Sequence, residues 1–229
     1  GLKVFRNLGS IYFKDITKTS GIPTQITGAL KLVMDDWNND DMLDLFITRA
    51  SGPPMFLQKI RGTVHTPTNT LPALPATTAL ATGDLNNDLR VDLVCLANDQ
   101  LEITFNGLEE KQILPLAKGV TAVHLLDYDN DGWLDLYVAN GENWNDGNPI
   151  YYRDFFYLGG ANGFTNRSDM IRSDAFYTRG VSWGDADRDG WSDLYVGNYR
   201  IQPNRYYRND NGTLDALSAV GANQENVLE

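Results

Sequence analysis

Apolar residues in this chain come in short runs, and the runs come in pairs that flank an acidic stretch. Before the acid stand Gly28-Ala-Leu-Lys-Leu-Val-Met34, Ala79-Leu-Ala-Thr82, Val120-Thr-Ala-Val-His-Leu-Leu126 and Gly180-Val-Ser-Trp183. After it stand Leu43-Asp-Leu-Phe-Ile-Thr48, Val91-Asp-Leu-Val-Cys-Leu96, Leu134-Asp-Leu-Tyr-Val-Ala139 and Asp193-Leu-Tyr-Val-Gly197. Such runs read as strands, and a pair joined by a polar turn reads as a hairpin. Helical periodicity is absent over any useful length. Further hairpin signals lie at Val4–Phe13, Tyr151–Thr165 and Arg205–Leu214, where steps such as Asn211-Gly212 supply the positive φ of a tight turn. The repeating unit therefore has four short strands.

The acidic stretches begin at Asp36, Asp84, Asp127 and Asp185, so the unit recurs every 43 to 58 residues. Four strands at this spacing make a propeller blade. The predicted fold is all-β, a β-propeller of four-stranded blades, either a complete small propeller or a segment of a larger one. It occupies residues 1–229 as a single domain or fragment. The almost wholly apolar runs Leu134–Val138 and Leu194–Val196 are expected to be inner strands sandwiched between neighbouring blades. The blade count stays open. An inner strand at Leu217–Ala222 could join the N-terminal outer strands and close five blades; an arc of a six- or seven-bladed ring fits equally. Thr66–Thr78, with Pro67, Pro72 and Pro75, reads as an ordered loop or irregular outer strand, and 223–229 as a polar tail.

Each acidic stretch, 36–44, 84–92, 127–135 and 185–193, carries oxygen side chains at its positions 1, 3, 5 and 9. They are Asp36, Asn38, Asp40 and Asp44; Asp84, Asn86, Asp88 and Asp92; Asp127, Asp129, Asp131 and Asp135; Asp185, Asp187, Asp189 and Asp193. Position 7, at Met42, Arg90, Trp133 and Trp191, would add a backbone carbonyl. All-oxygen donors at this spacing suit a hard divalent cation, Ca²⁺, as in the first nine positions of an EF-hand loop without its helices. Gly132 and Gly190 allow positive φ at position 6. Asp41 and Leu89 stand there in the first two copies, which also have Asn at position 3, so weaker binding is expected of them. The expected role of the ion is structural, its binding energy adding to folding.

Charge sharpens this picture. Of 229 residues, 30 are acidic and 19 basic, giving −11, and nearly half of the acid lies in the four motifs. Without a cation each loop crowds like charges together. A nonspecific nucleic-acid surface would be basic, so that partner class is excluded. No apolar stretch is long enough to span a membrane. The single cysteine, Cys95, permits no internal disulfide and reads as a buried thiol. The opening Gly1-Leu-Lys-Val-Phe already reads as a strand, consistent with trimming from a longer precursor.

The motif Asp-x-Asp-x-Asp-Gly-x-x-Asp-Leu beside an apolar strand resembles the FG-GAP/VCBS repeat of integrin alpha chains and of many secreted or surface bacterial proteins. Phe5-Arg6-Asn7 with Ile11-Tyr-Phe-Lys-Asp-Ile16, and Tyr207-Arg-Asn-Asp-Asn-Gly-Thr213, resemble the subtype of cartilage acidic protein and ASPIC/UnbV proteins. The resemblance spans roughly residues 2 to 214. It implies a propeller with calcium in each motif-bearing blade, an extracellular, cell-surface or periplasmic setting, and adhesion or ligand binding.

Trp144 sits in the polar insertion Asn140–Pro149 and is the candidate anchor of an exposed binding loop; an extended surface turn is the alternative. Trp183 is expected between blades. His65 and His124 are the only histidines, and neither belongs to a nucleophile arrangement. The sequons Asn166-Arg-Ser168 and Asn211-Gly-Thr213 matter only in a eukaryotic secretory pathway. The functional expectation is a noncatalytic calcium-binding module for extracellular recognition of a protein or glycan. The alternatives are an ancillary propeller of a secreted polysaccharide-active enzyme, associated with other domains of a longer chain, or a lectin.

Overall fold

The structure is a computed structural model that describes residues 2–23, 26–50, 52–60, 64–67, 77, 79–97, 100–106, 111–115, 119–145, 147–172, 174–199 and 201–220. It opens with a two-stranded hairpin, β1 (Phe5–Asn7) and β2 (Phe13–Asp15), closed by a 3-10 turn at Thr17–Thr19. Four antiparallel sheets follow. Blade one is β3 (Ala29–Asp35), β4 (Asp44–Arg49), β5 (Met55–Ile60) and β6 (Val64–Pro67). Blade two is β7 (Leu80–Gly83), β8 (Asp92–Ala97), β9 (Gln100–Thr104) and β10 (Lys111–Pro115).

Blade three begins with β11 (Val120–Leu126) and β12 (Asp135–Asn140). A separate hairpin, β13 (Glu142–Asn145) with β14 (Asn148–Tyr151), interrupts it before β15 (Phe155–Leu158) and β16 (Thr165–Asn166) complete the sheet. Blade four is β17 (Thr178–Gly184), β18 (Asp193–Asn198), β19 (Asn204–Asp210) and β20 (Thr213–Val220). Within each blade the strands lie side by side in chain order. The eight strands expected around the acidic loops are all present, with ends shifted by a residue or two.

Packing between blades explains the composition of the strands. The first strands, β3, β7, β11 and β17, touch their neighbours in that order and form the inner row. The second strands β4, β8 and β12 are covered on both faces, and all six residues of β12 are buried, whereas β18 is covered on the side of blade three and leaves Tyr195 exposed. This corrects the expectation that 134–138 and 194–196 are the inner strands: they are the second strands. The inner positions belong to the preceding, less apolar runs. A strand sandwiched on both faces reads as continuously apolar, whereas one lining an axis is half wet. Interblade clusters supply the core. Trp37, Phe46 and Phe56 meet Leu80 and Leu93; Leu101 and Ile103 share a cluster with Val123 and Val138; Tyr137 and Phe156 pack on Leu194 and Val196. Trp183 is half-buried, edge-on to Tyr137 with ring centres 6.2 Å apart.

A second correction concerns 217–222. Residues up to Val220 continue β20, the fourth strand of blade four, with Leu217 opposite Tyr206. They do not begin a new blade. Residues 221 and 222 and the tail 223–229 lie outside the described residues, as does most of Thr66–Thr78, of which Thr66 and Pro67 belong to the outer strand β6.

Candidate metal centres

The four acidic loops share one local architecture, and hydrogen bonds show why these residue types recur. The position-1 carboxylate caps the turn. Asp36 accepts from the amides of Asp40 and Asp41, Asp84 from Asp88 and Leu89, Asp127 from Asp131 and Gly132, and Asp185 from Asp189 and Gly190, all between 2.7 and 3.1 Å. The position-5 carboxylate accepts from the position-7 amide of Met42, Arg90, Trp133 or Trp191. Positions 4 and 6 carry positive φ in every loop, so Asp41 (63°) and Leu89 (64°) adopt the conformation that glycine provides at 132 and 190.

The position-9 carboxylates lie beneath the loops, buried at the start of the second strands. Asp92 accepts from Leu85 and Asn106, Asp135 from Tyr128 and Gly159, and Asp193 from Ala186, Asn209 and the Tyr206 hydroxyl. Asp44 accepts from Lys59. Each therefore ties the second strand to the third. Burial pushes the Asp44 and Asp92 carboxyls up, and that of Asp135 up to about 7.

Two acidic clusters emerge. Asp127, Asp129 and Asp135 place carboxylate oxygens within 4.8 Å of one another, and so do Asp185, Asp187 and Asp189. In the third loop the Asp129 Oδ1 atom is buried and has no hydrogen-bond partner, and burial raises its carboxyl, with Asp131 adding to the rise. A desolvated oxygen facing other carboxylates is costly unless a cation meets it. The donor set is all oxygen, so these residues fit a hard divalent ion.

The fourth loop is different. Arg208 of β19 places Nε 2.8 Å from Asp187 and Nη2 4.0 Å from Asp189. In blade three the equivalent position is Leu158. In the first two loops the position-3 amide takes the cation's part: Asn38 Nδ2 donates to Asp40 at 3.0 Å and Asn86 Nδ2 to Asp88 at 3.3 Å. Thus, among the described residues, the third loop alone combines a carboxylate cluster with no cationic or amide side chain donating to its carboxylates.

More than half of the chain, residues 36–95 and 127–196, matches the model of the FG-GAP-like repeat. The chain belongs to the FG-GAP repeat family. Comparison with curated proteins returns no match. FG-GAP repeats often bind calcium and build propeller-type modules that bind proteins or other ligands. Each of the two matched stretches contains acidic loops and the strands that hold them.

Two features escape a reading of the motifs in isolation. Position 4 links successive FG-GAP loops: Asn39 Nδ2 donates to the Leu89 carbonyl, Asn87 to Gly132 and Asn130 to Gly190, at 2.9, 3.1 and 3.4 Å. The four loops therefore stand in a row at one end of the blades. The only signal was Asn at that position in three motifs and Arg188 in the fourth. Arg208 is the other; its charge was visible, its reach to Asp187 was not. The backbone of Trp144 lies in β13, opposite Pro149, so the polar insertion is a regular hairpin; the Trp144 side chain lies outside the described residues.

Proposed function

We propose that this chain is a noncatalytic, calcium-stabilised propeller module that recognises a protein or glycan outside the cell. The observation that carries the calcium reading is the third loop, where Asp127, Asp129 and Asp135 converge around a buried, unpartnered carboxylate oxygen. Asp127, Asp129 and Asp135 would hold the ion there, with Asp131 and the Trp133 carbonyl as further donors. In the other loops the corresponding sets are Asp185, Asp187, Asp189, Trp191 and Asp193; Asp36, Asn38, Asp40, Met42 and Asp44; and Asp84, Asn86, Asp88, Arg90 and Asp92. The ion would supply charge neutralisation to a turn already shaped by its own amides. Because the loops share one end of the module, an ion in one loop bears on its neighbour through Asn39, Asn87 and Asn130.

Family membership supports ligand or protein binding, and the hairpin β13–β14, with Trp144, is our candidate contact element. The extracellular setting agrees with millimolar calcium there, which suits loops of modest affinity. Calcium titration calorimetry on chelator-stripped protein, followed in parallel by circular dichroism, tests the reading. Binding at one or more loops, with a rise in unfolding temperature, is expected. A stable β fold with no heat at millimolar calcium overturns the calcium part.

A further inference from the structure

The hairpin β1–β2 is built like the outer half of a blade. In blade three the Ser168 hydroxyl accepts from the Phe156 amide at 3.0 Å and donates to the Phe156 carbonyl at 3.3 Å. Thr17 does the same to Val4, at 2.9 and 3.5 Å. The Ser168 amide donates to Asn166 Oδ1, and the Thr17 amide to Asp15 Oδ1, both at 2.9 Å. Register agrees: Phe5 lies opposite Asp15 as Tyr157 lies opposite Asn166. The docking agrees too. Val4 packs on Leu45, Ile47 and Leu57 of blade one as Phe156 packs on Leu194, Val196 and Tyr207 of blade four. β1 and β2 are therefore third and fourth strands, set against blade one where a preceding blade belongs.

Among the described residues that blade has no first or second strand, and this shows on three surfaces. The third-strand position held by Phe5 is held in the complete blades by Leu57, Thr104, Tyr157 and Tyr207, none more than 5% exposed; Phe5 is 53% exposed. On β3, Leu32 is 50% and Met34 64% exposed. In blade four the corresponding Val181 and Trp183 are half-buried under Tyr137 and Phe156 of blade three. Nothing described plays the part of Tyr137 over Leu32 and Met34. Finally, no second strand is paired with the free edge of β1 among the described residues.

We infer that the free edge of β1, with the apolar face of β3 beside it, is a docking site for one β-hairpin of the strand–acidic loop–strand kind. Charge favours that occupant. Residues 2–23 hold Lys3, Arg6, Lys14 and Lys18 against the single acid Asp15, in a chain of net charge −11. Arg6 stands where Arg208 meets Asp187 of its own blade, and Asn7 where Asn209 donates to the closing Asp193. An incoming acidic loop would find both partners in place. The chain's own four such hairpins are already paired with β5, β9, β15 and β19. Residues 221–229 contain no aspartate. Among the described residues no hairpin of this kind is left free, so the proposed occupant is a hairpin supplied by other polypeptide. This site does not depend on whether the loops hold calcium.

The test takes the whole chain in chelator and, as probe, a synthetic peptide with the sequence of residues 178–198. Hydrogen exchange is read at the amides of Phe5–Asn7, and sedimentation follows the chain alone. Because a lone hairpin is marginally folded in water, the same sequence is also appended after Glu229 through a flexible linker. Protection of Phe5–Asn7 by more than about tenfold in either format is expected. Asp193→Asn within the added hairpin, or Arg6→Glu in the chain, should remove most of that protection. A scrambled hairpin should give none. No protection in either format, or protection that survives both substitutions, overturns the proposal. A dimer of the chain alone that protects Phe5–Asn7 and excludes the peptide overturns it in favour of a second copy.

Discussion

Two aspartates from different positions of the acidic loops do different work at the scale of single residues. Asp193 is buried and accepts from two amides and a hydroxyl, so its task is to join β18 to β19 with or without a metal. Asp193→Ala should therefore cost about 3 kcal/mol or more in chelator, since each stranded donor costs about 1–3 kcal/mol. In the third loop, Asp129 has an oxygen with no partner. Asp129→Ala should leave stability in chelator unchanged or higher and abolish the gain from calcium at that loop. Thermal unfolding of both variants with and without calcium separates a strand tie from an ion ligand; identical behaviour would contradict the distinction. Leu89 offers an independent check on loop geometry. It holds φ at 64° with its side chain exposed. Leu89→Gly should stabilise the protein by about 1 kcal/mol, because a branched side chain is strained there and glycine is not. A loss of stability on urea unfolding would show that the Leu89 side chain does something the backbone conformation does not require.

Arg208 decides a question at the scale of the element. It spans Asp187 and Asp189 from the third strand of the same blade, and those carboxylates raise its own pKa, Asp187 most. An incoming cation must displace or share it. Arg208→Gln should therefore raise the cation affinity of the fourth loop by about two- to fivefold, the range set by an exposed ion pair. Terbium luminescence in a Trp133→Phe background is read as the part of the signal lost on Trp191→Phe, because Trp37 in the first loop also sensitises. Equal affinity in both proteins would show that Arg208 is a spectator. The same element shows how far sequence reaches. The loop and its flanking strands were legible, because the loop needs fixed oxygen positions and the strands need continuous apolar surface. Which strand faces the axis was not, because that depends on what covers each face. The spacing reads Asp135 as an ion ligand, and the structure shows it as a tie to Gly159, a role that a spacing cannot reveal. The outer strands were legible only through turn signals such as Asn211-Gly212, and the fourth strand of blade three, Thr165–Asn166, is too short to carry a pattern.

For the whole molecule, the buried carboxylate of Asp154 gives the interface between blades three and four a pH dependence. Asp154 accepts from the Tyr137 hydroxyl and the Asn140 amide of blade three and from the Thr178 hydroxyl of blade four, at 2.6 to 2.7 Å. Arg172, Asp174 and Arg205 line the same small space, with Arg205 engaged by Asp174 at 2.6 Å. Burial pushes the Asp154 carboxyl from 3.8 up to about 6, against the pull of its three donors. The folded protein therefore holds a proton there that the unfolded chain has released between these values. Stability from this group is complete below about pH 4 and is lost as the pH rises through 6. Asp154 keeps part of its surface in water, so the loss is at most about 2 kcal/mol. Asp154→Asn should flatten this segment of the pH–stability curve. In chelator, the fall from Asp135, which runs from about pH 4 to about 7, should remain. Urea unfolding from pH 4 to 8 distinguishes the two. A curve for Asp154→Asn as steep between pH 4 and 6 as that of the unaltered protein would mean that another carboxyl carries the proton, and that the seam between these blades is insensitive to pH.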